Sequence, residues 1–238
     1  MSKTSWIIFA AIVVLLFGGL VVYSRSTNPS VDVSNVDTNS IIAASDQNGN
    51  IADHTFGKAD SKVVLVEYGD FQCISCYNAH PNIKEITEDY EDRVVFVFRN
   101  FPLTSIHPNA RAAAAAVEAA GLSGKYWEMH NAIFESKNDW ENLNGDQRTD
   151  FFVNKAKGLD IDEAKFKEDL AGTAVNQKIS FDQALGKKLN VTGTPTFYLQ
   201  GEKISDELSN NIVSGDGSLL REALDAALRK EGVDVPTE

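Results

Sequence analysis

Cysteine is nearly absent from this chain of 238 residues: there are two, Cys73 and Cys76, beside four histidines. The shortage excludes several uses of the pair. A structural zinc centre needs four ligands; here His80 would have to serve as a third and the distant His54 as a fourth, with no second cysteine pair. Haem attachment needs C-x-x-C-H, and Tyr77 stands where that histidine would be. A structural staple gains little, because a disulfide acts by closing a loop in the unfolded chain and this loop is minimal. Nor does a core of this size need one. Basic residues are also short. Lys and Arg number 22 against 34 Asp and Glu, a net charge of −12. That balance argues against a nucleic-acid surface and against docking by charge on an anionic membrane. It serves solubility. There is no internal repeat, and the length suits one domain, or one domain with an appendage.

One long apolar run is present. Residues 6–23, WIIFAAIVVLLFGGLVVY, carry no charge, enough to cross about 30 Å of hydrocarbon as a helix. The run is longer than the apolar part of a cleaved signal peptide, and no A-x-A-like site follows. No cysteine lies nearby for lipid attachment. The expectation is an uncleaved signal anchor over residues 1–24, crossing the cytoplasmic membrane once. Lys3 precedes the run and Arg25 follows it, so charge alone orients it weakly. The short leading side favours N-inside, with everything past Arg25 extracytoplasmic. Residues 25–50 are polar and aperiodic and read as a flexible linker, with an apolar interruption at residues 41–44.

The folded part is expected over residues 51–238. KVVLVEY (residues 62–68) and RVVFVFR (residues 93–99) are short β-branched runs of the kind found in buried strands. NIKEITEDY between them has helical spacing, so the two strands form a βαβ unit and run parallel. Helical patterns then dominate about residues 103–190. HPNARAAAAAVEAAG has proline at its start and glycine at its end. KYWEMHNAIFES, residues 146–157, residues 162–171 and AVNQKISFDQALGKKLN follow it. Strand signals return in TPTFYLQ (residues 194–200) and NNIVSG, read together as an antiparallel hairpin. DGSLLREALDAALRK closes the chain as an amphipathic helix, with Asp216 or Ser218 as its N-cap.

This pattern puts Cys73 directly after a strand, where a helix begins. Helix N-termini present unpaired N–H groups and a partial positive charge, which favour a thiolate. Cys76 lies one turn further on, within disulfide reach and shielded. That asymmetry makes Cys73 the attacking or attacked sulfur and Cys76 the resolving one. The redox reading is therefore preferred, and an oxidising compartment outside the cytoplasm suits it.

VEYGDFQCISC, FRNFPL, HPNARAAAAA and, more than a hundred residues later, VTGTPTF together resemble the DsbA-like branch of the thioredoxin superfamily, in its membrane-tethered extracytoplasmic form. The resemblance covers about residues 54–230. It implies an α/β thioredoxin fold, βαβ then ββα, interrupted by a helical insertion. The family's nucleophile and resolving cysteine match Cys73 and Cys76, and its cis-proline matches Pro195. Thr194 would offer backbone hydrogen bonds to an extended substrate. Glu67 matches a carboxylate under the active-site helix that exchanges a proton with Cys76, its pKa raised by burial. Pro81 matches a helix-kinking proline. No role follows for His107 or for His130, which is expected to line helix packing. The active-site dipeptide departs from the family: Ile74 and Ser75 stand where strong oxidants carry histidine before the second cysteine. A histidine there would stabilise the thiolate and so the reduced form.

The activity implied is thiol:disulfide oxidation of exported polypeptides by a monomeric, membrane-tethered enzyme. It would need no cofactor beyond the Cys73–Cys76 disulfide and no metal. The family also implies a quinone-linked membrane reoxidase of the DsbB or vitamin-K-epoxide-reductase type. A reductase or isomerase of the same fold is the alternative within redox chemistry, although isomerases usually add a dimerisation domain. A non-catalytic client-binding module would use the groove beside Pro195 and would not need the cysteine pair.

Overall fold

The computed structural model describes residues 31–236 and scattered positions between Trp6 and Gly19. It divides into two units, Met1–Asp32 and Val33–Glu238. In the first, the described positions between Trp6 and Gly19 are helical. Most of the expected signal anchor lies outside the described residues, and among these no helix is long and apolar enough to cross a membrane.

The second unit is built on a five-stranded sheet in the order β1-β3-β2-β4-β5. β2 (Val63–Gly69) and β3 (Val94–Asn100) are its centre and run parallel, in register from Val63 opposite Val94 to Gly69 opposite Asn100. Their near-continuous apolar sequence is what burial on both faces requires. All seven residues of β3 are buried. Because the strands are parallel, both carboxyl ends reach the same edge, and the segments that follow them meet there. β1 (Thr55–Gly57) adds antiparallel to β3, a three-residue strand too short to leave a pattern. On the other side β4 (Thr196–Leu199) runs antiparallel to β2, and β5 (Glu202–Lys203) completes a hairpin with β4.

Helix α1 (Ile74–Asp89) joins β2 to β3, with Pro81 in its interior. Six helices lie between β3 and β4: α2 (Ala110–Gly121), α3 (Tyr126–Glu135), α4 (Lys137–Trp140), α5 (Gly145–Gly158), α6 (Glu163–Leu170) and α7 (Thr173–Lys188). α2 is largely alanine, and its small side chains are buried on almost every side. Two more helices follow the hairpin, α8 (Asp206–Val213) and α9 (Ser218–Lys230).

The structure corrects three expectations. Residues 211–213 are not a strand but the last turn of α8. Ser205 caps that helix by accepting the Leu208 N–H, and Asp206 and Glu207 fill its first turn, where negative charge is favourable. The true partner of β4 is β5, reached through a turn at Gln200 and Gly201 with φ of 49° and 81°. The cap of α9 is Gly217; Asp216 instead accepts the Ser218 N–H in a local turn, and Ser218 begins the helix. The third correction concerns the expected linker. From Val33 onward it is packed against the body: Val33 and Asn48 are buried, and two cations hold its backbone. Lys188 donates to the carbonyls of Val33, Ser34 and Val36. Arg99 donates to those of Thr38 and Ser40. Polar composition misleads here because backbone carbonyls make much of the attachment.

Arg99 belongs to a buried ionic cluster beneath the active-site edge of the sheet. It pairs with Asp53 at 2.8 Å; Lys178 pairs with Asp53 at 3.0 Å and with Asp182 at 2.7 Å. Burial opposes the Asp53 charge, but Lys178 and Arg99 outweigh it and hold the carboxyl well below its ordinary range. Asp182 and Glu118 in turn receive the amide of Asn100, the last residue of β3.

Candidate active site

β2 ends at Gly69, where a tight approach leaves no room for a side chain: a Cβ there would lie 2.2 Å from the Phe98 ring. Asp70 follows, and its carbonyl accepts the Cys73 N–H at 3.1 Å. Cys73 is the N-cap of α1, with extended backbone, and its own carbonyl accepts the Tyr77 N–H. Both cysteines are free thiols. Cys73 is 7% exposed and Cys76 1%. The expected contrast between them is present, but Cys73 is itself recessed. What projects is Ile74, 58% exposed.

The peptide bond between Thr194 and Pro195 is cis. The pairing of β4 with β2 brings Thr194, more than a hundred positions away, onto the cysteine pair: the Cys73 thiol donates to the Thr194 carbonyl at 3.2 Å. Once ionised, Cys73 can only accept. The Thr194 hydroxyl, buried and otherwise without a hydrogen-bond partner, is then available to donate.

The two sulfurs have opposite acidities. The Cys73 thiol is pulled from an ordinary 9 down to about 5. The largest contribution is a hydrogen bond from the Cys76 thiol. Burial opposes the shift, while the Thr194 hydroxyl and the backbone N–H groups of Cys76 and Ser75 add to it. Ser75 therefore contributes through its backbone N–H. Cys76 is pushed well above its ordinary value by burial and by donating to Cys73, with the Glu67 charge adding to the effect.

Glu67 is 4% exposed. It lies in the central strand between Phe98 on β3 and Phe197 on β4. Burial, reinforced by the Cys73 charge, raises its carboxyl to about 8. It is thus protonated at neutral pH; ionised, above about 8, it is one of the charges that push Cys76 up.

The structure does not gather the residues considered for zinc. His54 pairs with Glu118 at 3.0 Å and stacks on Tyr126. His80 lies against His130 and Phe134, and burial lowers it to about 4. Among the described residues no group of three or more His, Cys, Asp or Glu could hold a metal. His130 packs among Phe71, Phe98 and Phe134, and burial keeps it neutral.

Asp70, which the sequence does not single out, and His107, for which it implies no role, are brought into this neighbourhood together. The Asp70 side chain is fully buried, and its Oδ2 lies 2.7 Å from His107 Nδ1. The available signal was an acidic residue at the end of a central strand, three positions before the first cysteine. Strand-ending chemistry accounts for that residue equally well.

A family model described as "Thioredoxin" matches residues 49–215, and the chain belongs to that family. Within it, the structure matches those of DsbA-type thiol-disulfide oxidoreductases. The oxidised BdbD structure from Bacillus subtilis is 25% identical, with a TM-score of 0.62, and the match covers 80% of this chain and 98% of that one. Wolbachia pipientis alpha-DsbA1 is 22% identical, with a TM-score of 0.62 and coverage of 75% and 92%. MdbA, a thiol-disulfide oxidoreductase from Corynebacterium diphtheriae, is 18% identical, with a TM-score of 0.57 and coverage of 79% and 99%. The last two are likenesses of fold. Curated relatives include the Na(+)/H(+) antiporter NhaA 1 of Salinispora arenicola, 36% identical over 151 residues. NhaA 3 of Salinispora tropica is 34% identical over 180 residues. The matched stretches are 63% and 76% of this chain but 22% and 26% of those proteins, so the chain spans about a quarter of the length of the curated relatives it matches. The fold is one that supports thiol–disulfide exchange.

Proposed function

We propose that this protein oxidises cysteine pairs in exported polypeptides, using Cys73 and Cys76 as its redox centre. In the oxidised form a client thiolate attacks Cys73 Sγ. The Cys73–Cys76 bond breaks, a client–Cys73 disulfide forms, and Cys76 leaves with the electron pair. Its high proton affinity is met by Glu67, which is protonated below about 8 and gives up its proton. A second client thiolate then attacks the client sulfur of the mixed disulfide. The client disulfide closes and Cys73 leaves as a thiolate. Two electrons have moved from client to enzyme, and the client is two protons lighter. Thr194, Pro195 and the start of β4 hold the extended client, while Ile74 meets it beside the sulfurs. Reoxidation falls to a quinone-linked membrane oxidase of the DsbB or vitamin-K-epoxide-reductase type. The apolar run of residues 6–23 would keep the domain on the extracytoplasmic face, near that partner.

The opposed acidities of the two sulfurs carry this reading. A leaving thiol of low pKa leaves readily and stabilises the reduced form, so the disulfide becomes an oxidant. Two measurements test it. Reduced, unfolded ribonuclease should gain disulfides and activity with the oxidised protein and lose that gain with Cys73→Ala. Equilibration with glutathione should place the potential nearer about −120 mV than about −270 mV. A value at the reducing end would make the protein a reductase. Client binding and phenotype that survive loss of both cysteines would make it a non-catalytic module.

A further inference from the structure

The proposed chemistry uses the two cysteines, Glu67 and the Thr194–Pro195 turn. It leaves unexplained a buried charge beside them. Asp70 holds the first cysteine through its backbone: its carbonyl accepts the Cys73 N–H at 3.1 Å, and its N–H counts among the influences that lower Cys76. Its carboxylate is fully buried. Oδ1 accepts the Gln72 N–H at 2.7 Å. Oδ2 accepts the Leu103 N–H at 2.8 Å and faces His107 Nδ1 at 2.7 Å. The carboxyl oxygens face donors on every side and accept from each. His107 must then carry its proton on Nδ1. The neighbouring Gln72 ties the same two segments again, since its Oε1 accepts the Asn109 N–H at 2.8 Å.

We infer that His107 is a positioning residue for disulfide exchange: by donating from Nδ1 to Asp70, it holds the 70–73 turn and with it the Asp70 carbonyl that accepts the Cys73 N–H at the N-cap of α1. This rests on the reading of Cys73 as nucleophile and adds the part that sets its surroundings. The parallel pairing of β2 with β3 makes the arrangement available, because the segments leaving Gly69 and Asn100 start side by side. Without the His107 donor the carboxylate keeps its burial and loses one of the bonds that compensates it. The turn then shifts to find another, carrying the N-cap of α1 with it. The other titratable groups set around the sulfurs are Glu67 and the cysteines themselves.

Two substitutions separate positioning from mere packing. In His107→Asn the side-chain amide sits where Nδ1 was and can still donate to Asp70. In His107→Gln it sits further out, where Nε2 was. His107 is at the surface, its side chain 20% exposed, so both variants are expected to fold. The readout is the pH midpoint of Cys73 alkylation in the reduced full chain, located by peptide mapping. Asn should keep the native midpoint, and Gln should raise it by about one unit, a tenfold loss of thiolate below the midpoint. Equal midpoints in the two variants overturn the inference, whether both are native or both raised. On the unsubstituted protein, nitrogen NMR of His107 should find the proton on Nδ1; a proton confined to Nε2 also overturns it. A native Cys73 that alkylates no more readily than an ordinary thiol would instead overturn the proposed function.

Discussion

Cys73 and Glu67 titrate in opposite senses on folding, and each conceals the other. Between pH 5 and 8 Cys73 is proton-free in the folded reduced protein, at about 5, and proton-bound when unfolded, at an ordinary 9. Its contribution to stability therefore rises with pH. Glu67 is proton-bound when folded, at about 8, and proton-free when unfolded, at an ordinary 4.5, so its contribution falls across the same window. Removing one should unmask the other. Above the ordinary 6.5 of histidine, where buried His80 and His130 have made their contribution, urea unfolding of reduced Glu67→Gln should show stability climbing from about pH 7 to 8, and reduced Cys73→Ala should show it declining. A Glu67→Gln profile that does not climb would mean that the native Cys73 thiol is not depressed, and a Cys73→Ala profile that does not fall would mean that the native Glu67 carboxyl is not protonated. At this scale the sequence is uneven as a guide. The cysteine spacing and the Gly193-Thr194-Pro195 context identify residues that the fold brings to 3.2 Å of one another. Nothing in the spacing of Asp70 and His107 announces their contact, because it depends on two loops meeting in space.

Among the elements, β2 is the most constrained. It ends against Phe98, whose ring is held by Phe71, His130 and Phe134 with centroids 4.7–6.0 Å away. A methyl group at Gly69 would lie 2.2 Å from that ring and 3.1 Å from Glu67 Oε1. Neither neighbour can easily retreat. Gly69→Ala should cost about 1–3 kcal/mol, read as a lower denaturant midpoint, and should disturb Glu67 as well. The long apolar strands and the alanine-rich helix are legible in sequence because each buries enough surface to impose a period. β1 and β5, with three and two residues, exist only because a neighbouring strand offers them a ladder. Residues 211–213 read as a strand for want of context: Ser205 and two acidic residues upstream had already started a helix through them.

For the whole molecule, the buried ionic cluster matters more to stability than to chemistry. Asp53 is the shared partner of Arg99 and Lys178. Removing one member of a buried group leaves charges uncompensated, typically at about 3–5 kcal/mol. Asp53→Ala should therefore unfold at much lower denaturant while leaving the Cys73 alkylation midpoint in place. If the midpoint moves with stability, the cluster and the cysteine pair are coupled through β3 and are not independent.

The clamp on the segment from Val33 to Asp53 has a further consequence, for grafting. A portable version of this module would have to be cut before Val33. A cut at residue 51, where the composition changes, would leave the Arg99 guanidinium in the interior without the carbonyls of Thr38 and Ser40 and would release Lys188 from Val33, Ser34 and Val36. Any leader could then be spliced ahead of that segment, but none could replace it, since what it supplies is solvation for cations that belong to the body.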